Sequence, residues 1–305
     1  MKRYRKLSEY LRNRYGTRVQ RIPIFGGFTC PNRDGTKGKG GCIYCDATGS
    51  GFSTLMNLPI EEQVGVWMER FKRKYKRVKF IAYFQAFTNT YAPVRVLKDR
   101  YERALLSDDI VALDVSTRPD TLPEEVLDLL EDFKKRVDVF VDLGLQTVNY
   151  KTLEILNRRH TLAEFIDAVC RLKRRNLEVT VHVILNLPWD DMKDVIETAK
   201  VLSAMNVDGV KIHSLYVVEG TELARMYRRG EIEIGGVEEY VERVVTFLEY
   251  LDPEIVIHRL VSDPPKEGVL FGNWGLSKME ILNLIDKELE RRDTWQGKRY
   301  DYLSR

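Results

Sequence analysis

The chain has 305 residues, 44% of them hydrophobic and 31% charged, with four cysteines and a formal net charge of +3. This composition excludes a disordered, collagenous or disulfide-stapled chain and allows a core burying roughly 75% of the unfolded surface. The longest charge-free stretch, residues 80–94, is too short to span a membrane, and no apolar run follows the opening Met-Lys-Arg-Tyr-Arg-Lys; a soluble, cytoplasmic protein with no membrane partner is predicted.

Charge is unevenly spread along the chain. Residues 1–79 carry 18 Lys/Arg against 6 Asp/Glu, and residues 80–305 carry 31 against 40. Either an anionic partner near the N-terminal part or a heavily charged surface accounts for this. The excess concentrates between Lys2 and Arg21 and between Arg70 and Lys79, interleaved with Tyr4, Tyr10, Tyr15, Phe71 and Tyr75. Short β-branched runs at 19–24, 78–84, 110–116, 137–143, 179–185, 209–213 and 255–258 predict seven strands,. Helical patterns alternate with them. Pro59 with Glu61 and Glu62, and Pro123 with Glu124 and Glu125, are helix-start signals, and Thr161 with Glu164 reads as a capping box,. Such alternation predicts a parallel sheet flanked by helices. Polar residues follow each strand: Gln85 and Thr88; Thr117 and Arg118; Gln146; Asn186; His213; His258 and Arg259. They converge on one mouth if the sheet curls into a barrel, so a partial (β/α) barrel is favoured over an open doubly wound sheet.

The loop after the first strand carries Cys30, Cys42 and Cys45, and eight of residues 26–51 are glycine. Three thiols in a polar, glycine-rich loop point to a soft metal in a reducing compartment. Structural zinc wants four closed ligands, whereas three thiolates suit an iron–sulfur cluster with one open iron. Spacing favours the cluster and leaves zinc as the competitor. Cys170 lies in a helical pattern far along the chain.

The run Cys30-Pro-Asn-Arg-Asp-Gly-Thr with Gly40-Gly-Cys42-Ile-Tyr-Cys45 resembles the radical S-adenosylmethionine superfamily, in its YhcC/YtqA-type branch. Tyr83–Tyr91, Ser116–Asp120, Leu143–Thr147, His258–Pro265 and Thr294–Gly297 extend the likeness. Parts are similar to the elongator catalytic subunit and to oxygen-independent coproporphyrinogen dehydrogenase. Asn157-Arg158-Arg159-His160 and Asn186-Leu-Pro-Trp189-Asp190 depart from the branch's usual wording.

The resemblance implies a (β/α)6-type radical SAM barrel over residues 15–265, between a basic N-terminal segment (1–14) and a C-terminal helical extension (266–305). It implies a [4Fe-4S] cluster on Cys30, Cys42 and Cys45, with S-adenosylmethionine held by Gln85, Thr117, Arg118, Gln146 and Arg158. Bland roles exist for several of these; Arg118 has a potential partner in Asp120. The implied chemistry is reductive cleavage of S-adenosylmethionine to a 5′-deoxyadenosyl radical. An electron donor such as flavodoxin or ferredoxin is implied, and the elongator likeness points to transfer RNA wobble-uridine modification. The rivals are chemistry on a small anionic metabolite and a non-catalytic iron–sulfur or zinc nucleic-acid-binding module. For an RNA substrate, both basic runs are expected to flank the mouth. His182 is expected to be a satisfied core histidine.

Overall fold

A computed structural model describes residues 3–303. Seven strands form one curled, all-parallel sheet in the order β1-β2-β3-β4-β5-β6-β8: β1 (Arg18–Ile24), β2 (Val78–Phe84), β3 (Ile110–Thr117), β4 (Asp138–Gln146), β5 (Glu178–Ile184), β6 (Gly209–His213) and β8 (Val256–Arg259). All seven match runs read from the sequence, with ends shifted by up to three residues.

Helices α2 (Ile60–Lys74), α3 (Val94–Ala104), α4 (Glu124–Lys134), α6 (Leu162–Arg174), α7 (Met192–Ala204) and α9 (Val237–Tyr250) cover the outer face. The start signals hold: α2 and α4 begin directly after Pro59 and Pro123, and Thr161 and Glu164 form a capping box at α6. The layer between sheet and helices is apolar. Phe84 meets Tyr101 edge-on at 5.1 Å, and Tyr101 meets Phe133 at 5.7 Å; burying each such ring contributes roughly 1.5–3 kcal/mol.

The inner face is filled differently at its two ends. At the lower end, where strands begin, Ile81, Ala112 and Phe140 pack on Leu11 of helix α1 (Leu7–Tyr15). This helix plugs the barrel. Arg14 pairs with Glu178 and, at 2.7 Å, with Asp138; Tyr15 and Tyr10 hydroxyls donate to the same two carboxylates at 2.5 and 2.9 Å.

The sheet does not close between β1 and β8. The N-terminal strand segment partly covers the gap: the Ile257 N–H donates to the Arg5 carbonyl at 2.7 Å. Gln296 locks this edge, accepting from the Arg5 N–H at 3.0 Å and donating to the Asp252 and Ile255 carbonyls at 2.8 Å. Gly297, at φ +83°, lies where a Cβ would stand 2.8 Å from Pro253, so glycine is required,. The remaining elements are the short helices α5 (Tyr150–Ile155) and α8 (Glu222–Arg228), an antiparallel pair β7 (Val217–Val218) and β9 (Val269–Phe271), and α10 (Lys278–Arg291), which packs on α9. The sequence reading did not contain the β7–β9 pair. Among the described residues no helix is long and apolar enough to cross a membrane.

The two basic runs lie elsewhere than the sequence order indicated. Arg14 meets the first residues of β4 and β5, while Lys72, near the end of α2, pairs with Asp109 just before β3 at 2.6 Å. Arg14 and the run around Lys72 are at the lower end, opposite the mouth, whereas Arg21 reaches into the barrel beside Asp114 and Lys2 lies outside the described residues. The reason is topological: a crossover helix returns the chain to the edge where the next strand starts.

Candidate active site

A cavity at the upper end is lined by Cys30, Cys42, Cys45, Gln85, Thr117, Arg118, Gln146 and Arg158 together. All eight residues singled out from the sequence meet here, from the cysteine loop, the ends of three strands and, for Arg158, the connection that follows residue 155. Cys170, on α6, does not line it.

The cysteine loop is shaped by turns and by a few buried side chains. The Cys45 N–H donates to the Cys42 carbonyl at 2.9 Å, and Arg33 N–H to the Cys30 carbonyl at 2.8 Å. Gly41, at φ +84°, brings the chain into Cys42 through a left-handed conformation beside the Arg33 side chain,. Asn32 is fully buried and donates to the Asn157 carbonyl at 2.6 Å, with Cys42 Sγ at 3.6 Å.

Cationic donors face two of the three sulfurs. Arg158 Nη1 approaches Cys42 Sγ at 3.3 Å and Arg33 Nη2 approaches Cys45 Sγ at 3.2 Å. Burial opposes ionisation of Cys42, yet the Arg158 and Arg118 guanidinium charges prevail and lower its pKa,. Burial and the neighbouring Cys42 push Cys45 up to about 12. All four cysteines are free of disulfides. The three thiols do not converge on a single-ion position among the described residues; they line a larger void and face it with donors to sulfur. That donor set fits a thiolate-bound cluster.

The other predicted residues fall into two groups. Gln85 Nε2 donates to the Ser50 carbonyl at 2.8 Å and its Oε1 accepts from Ser53 at 3.2 Å, tying strand β2 to the loop. Gln146 leaves β4 at φ 80°, a strained conformation for a non-glycine residue,. Ser50, Phe87, Asn157 and Arg159 share positive φ around the same mouth. Arg118 pairs bidentately with Asp120 at 2.9 Å and donates to the Arg158 carbonyl at 2.8 Å, leaving a buried Nη1 with no partner. By contrast, Thr117 Oγ1 lies 2.5 Å from Thr90 and 3.0 Å from Thr121 in a buried hydroxyl group. Arg158 spends its donors on Cys42, Tyr44 (3.2 Å), the Gly144 carbonyl (2.8 Å) and His160 (3.1 Å).

Below the mouth lies a charged layer that sequence reasoning largely missed. Lys211 donates to Tyr83 Oη at 2.7 Å and to Asp142 Oδ2 at 3.2 Å, and His182 Nε2 meets Asp142 at 2.9 Å. Arg21 Nη2 stands 2.9 Å from Asp114. Burial and Asp142 push the Asp114 carboxyl up to about 8, while Lys211 and Arg21 overcome burial to hold Asp142 far below the usual carboxylate range. His182 is satisfied, as expected, but it also lines the cavity, and burial and Lys211 lower its pKa to about 4. The signal for this layer was present: Asp114, Asp142 and Lys211 each interrupt an otherwise apolar strand,.

A curled parallel sheet with three free cysteines in the loop after its first strand, facing a cavity at the strand ends, defines the radical S-adenosylmethionine class of enzyme. The comparisons agree. The Radical SAM superfamily model matches residues 30–202 and the Radical_SAM C-terminal domain model matches residues 207–291. YtqA of Bacillus subtilis is 40% identical over 99% of this chain and 94% of its own length; YhcC of Escherichia coli is 34% identical over 92% and 90%. A tRNA uridine(34) acetyltransferase of Methanocaldococcus jannaschii is 32% identical over 59% of this chain and 33% of its own. The Methanocaldococcus infernus Elp3 structure superposes with a TM-score of 0.72 at 20% identity, covering 91% of this chain and 64% of that one. The chain belongs to the radical SAM superfamily, whose members use a [4Fe-4S] cluster and S-adenosylmethionine and require an electron donor. Family membership favours an enzyme over the non-catalytic binding module.

Proposed function

We propose that Cys30, Cys42 and Cys45 hold the [4Fe-4S] cluster and that Gln85, Gln146 and Arg118 Nη1 hold S-adenosylmethionine beside it. When bound, cluster and S-adenosylmethionine together supply, after one-electron reduction, a 5′-deoxyadenosyl radical that abstracts hydrogen from a substrate. The chain's own residues orient and screen. Arg158 and Arg33 donate to sulfur, which favours thiolate and tunes the cluster. Arg118 presents one unpaired donor to the cavity while Asp120 fixes its plane, an arrangement suited to a carboxylate. Thr117 acts through its hydroxyl neighbours as a positioning residue. The observation that carries this reading is the convergence of all eight residues on one cavity.

The test is anaerobic reconstitution with iron and sulfide, followed by dithionite and S-adenosylmethionine. Formation of 5′-deoxyadenosine and methionine is expected; intact S-adenosylmethionine in an iron-loaded sample overturns the assignment. Flavodoxin or ferredoxin is the expected class of physiological donor.

A transfer RNA uridine substrate at the wobble position is supported by the partial likeness to the tRNA uridine(34) acetyltransferase. A small anionic metabolite is the second reading. It is favoured by the position of Arg14 and of the run around Lys72 at the end away from the mouth.

A further inference from the structure

The gap between β1 and β8 is a second way into the barrel. Its groove shares Tyr83, Gln85, Lys211 and Arg259 with the upper cavity, so the two voids meet at these side chains. Lys6, Arg21, Lys211, Arg259 and Lys278 line the groove, and its described lining contains no Asp or Glu. A low-dielectric cleft walled by one sign of charge concentrates ions of the other sign.

Most of these cations have partners already. Lys278 holds Asp263 at 2.7 Å, Lys211 holds Asp142 at 3.2 Å, and Arg21 lies between Asp114 at 2.9 Å and Asp142 at 3.9 Å. Arg259 differs. Its nearest carboxylate, Asp263, is 3.9 Å away and is the one taken by Lys278. Its Nη2 lies 2.5 and 3.1 Å from the ring nitrogens of His213, and its Nε is buried with no partner. Burial and the Arg259 charge keep His213 neutral, so the ring does not balance the guanidinium. A buried donor on an uncompensated cation costs free energy unless an acceptor arrives.

We propose that Arg259, with Lys211 beside it, is an oxyanion-binding site at the inner end of the lateral groove, so that the substrate enters between β1 and β8 and carries a phosphate or carboxylate. This rests on the radical SAM reading of the cavity, because Arg259 and Lys211 line both the groove and the cavity that the three cysteines share. The guanidinium offers a planar fork matched to either oxyanion, and Lys211, itself held by Asp142 and Tyr83, is its neighbour across β6 and β8,.

The test uses the full, reconstituted chain at low salt, with inorganic phosphate and succinate titrated separately and the unfolding temperature followed. A specific site gives a saturating rise. A response to phosphate alone assigns a phosphate group, a response to succinate alone a carboxylate, and both support the site. Arg259→Gln is expected to raise the half-saturating concentration at least tenfold, Arg259→Lys by a smaller factor, and the exposed control Arg73→Gln not at all. If neither anion saturates the parent, or Arg259→Gln titrates like the parent, the site is refuted. Iron content and S-adenosylmethionine cleavage of the same parent sample separate the two ideas. An anion-binding sample that fails to cleave sinks the radical SAM reading and leaves the site standing.

Discussion

The two ends of the barrel hold charge in opposite ways. At the lower end, Arg14 is shared between Asp138 and Glu178, and both carboxylates also accept from tyrosine hydroxyls. At the upper end and in the layer beneath it, Arg118 Nη1, Arg21 Nε, Asp142 Oδ1 and Arg259 Nε are buried without hydrogen-bond partners. Buried polar atoms are nearly always paired in a folded protein, so a concentration of exceptions marks where a ligand completes the structure. The Arg14 cluster therefore serves stability, and the layer under the mouth retains unsatisfied groups for chemistry. Around the mouth, Gln146, Phe87 and Arg159 hold positive φ, whereas before β5 and β6 it falls to Asn176 and Asn206, a residue type that tolerates it,.

The sharpest way to break this comparison is at the cysteines. Replacing Cys30, Cys42 or Cys45 with Ala should remove most of the iron and the broad absorbance near about 400 nm that thiolate-bound clusters show. Cys170→Ala should keep both. Iron loss in the Cys170 variant, or retention in any of the other three, ends the three-cysteine assignment.

At the lower end the expected effect is on folding alone. Arg14→Ala strips a shared partner from two carboxylates and should cost about 2 kcal/mol, between the value of one charged hydrogen bond and that of a buried pair. Urea unfolding of the reconstituted chain measures it, and iron content should match the parent. Iron loss without a stability change would mean that the plug communicates with the mouth, which the comparison denies.

The charged layer between the ends gives a pH effect. Asp114, pushed up to about 8 by burial and by Asp142, retains in the folded chain a proton that the unfolded chain releases near its ordinary pKa of 3.8. The folded state binds more protons across that window, so this group makes stability fall as pH rises from about 4 to about 8, by at most about 1.4 kcal/mol per pH unit. Asp114→Asn removes the titration and should flatten the decline between pH 5 and pH 8. An equally steep profile in the variant would transfer the effect to another group.

Much of this was legible in the sequence. Seven apolar runs became seven strands because a parallel sheet is buried on both faces, and buried strands read as continuous β-branched stretches. The site residues were legible because strand ends converge once the sheet curls. What sequence order misplaced was the basic run from Arg70 to Lys79. It follows the cysteine loop in the chain, but it immediately precedes β2 and so lies where strands begin. The β7–β9 pair is two or three residues per strand, below the length at which alternation can be seen,. The contact of Arg158 with Cys42 joins residues 116 apart, and no local pattern records it. Asp114, Asp142 and Lys211 were visible as lone charges inside apolar strands, although their partners were not.

The smallest expected effect concerns that misplaced run, and it bears on the substrate. Lys72 pairs with Asp109 at 2.6 Å and Arg73 with Glu69 at 3.2 Å, both on exposed surface. Removing exposed pairs of this kind costs about 0–1 kcal/mol each, so replacing Lys72, Arg73 and Lys74 with Ala should barely change stability. If transfer RNA reaches the upper mouth, its phosphates release counterions there, and binding weakens with salt according to the contacts made at that end. The triple variant should then bind unmodified transfer RNA in a filter assay with the same dependence on salt as the parent. A shallower slope in the variant would lay the RNA across the lower end and dissolve the division between a structural and a functional pole. Absence of binding by the parent at low salt shifts the substrate to a small anion, which the lateral groove and Arg259 are built to admit.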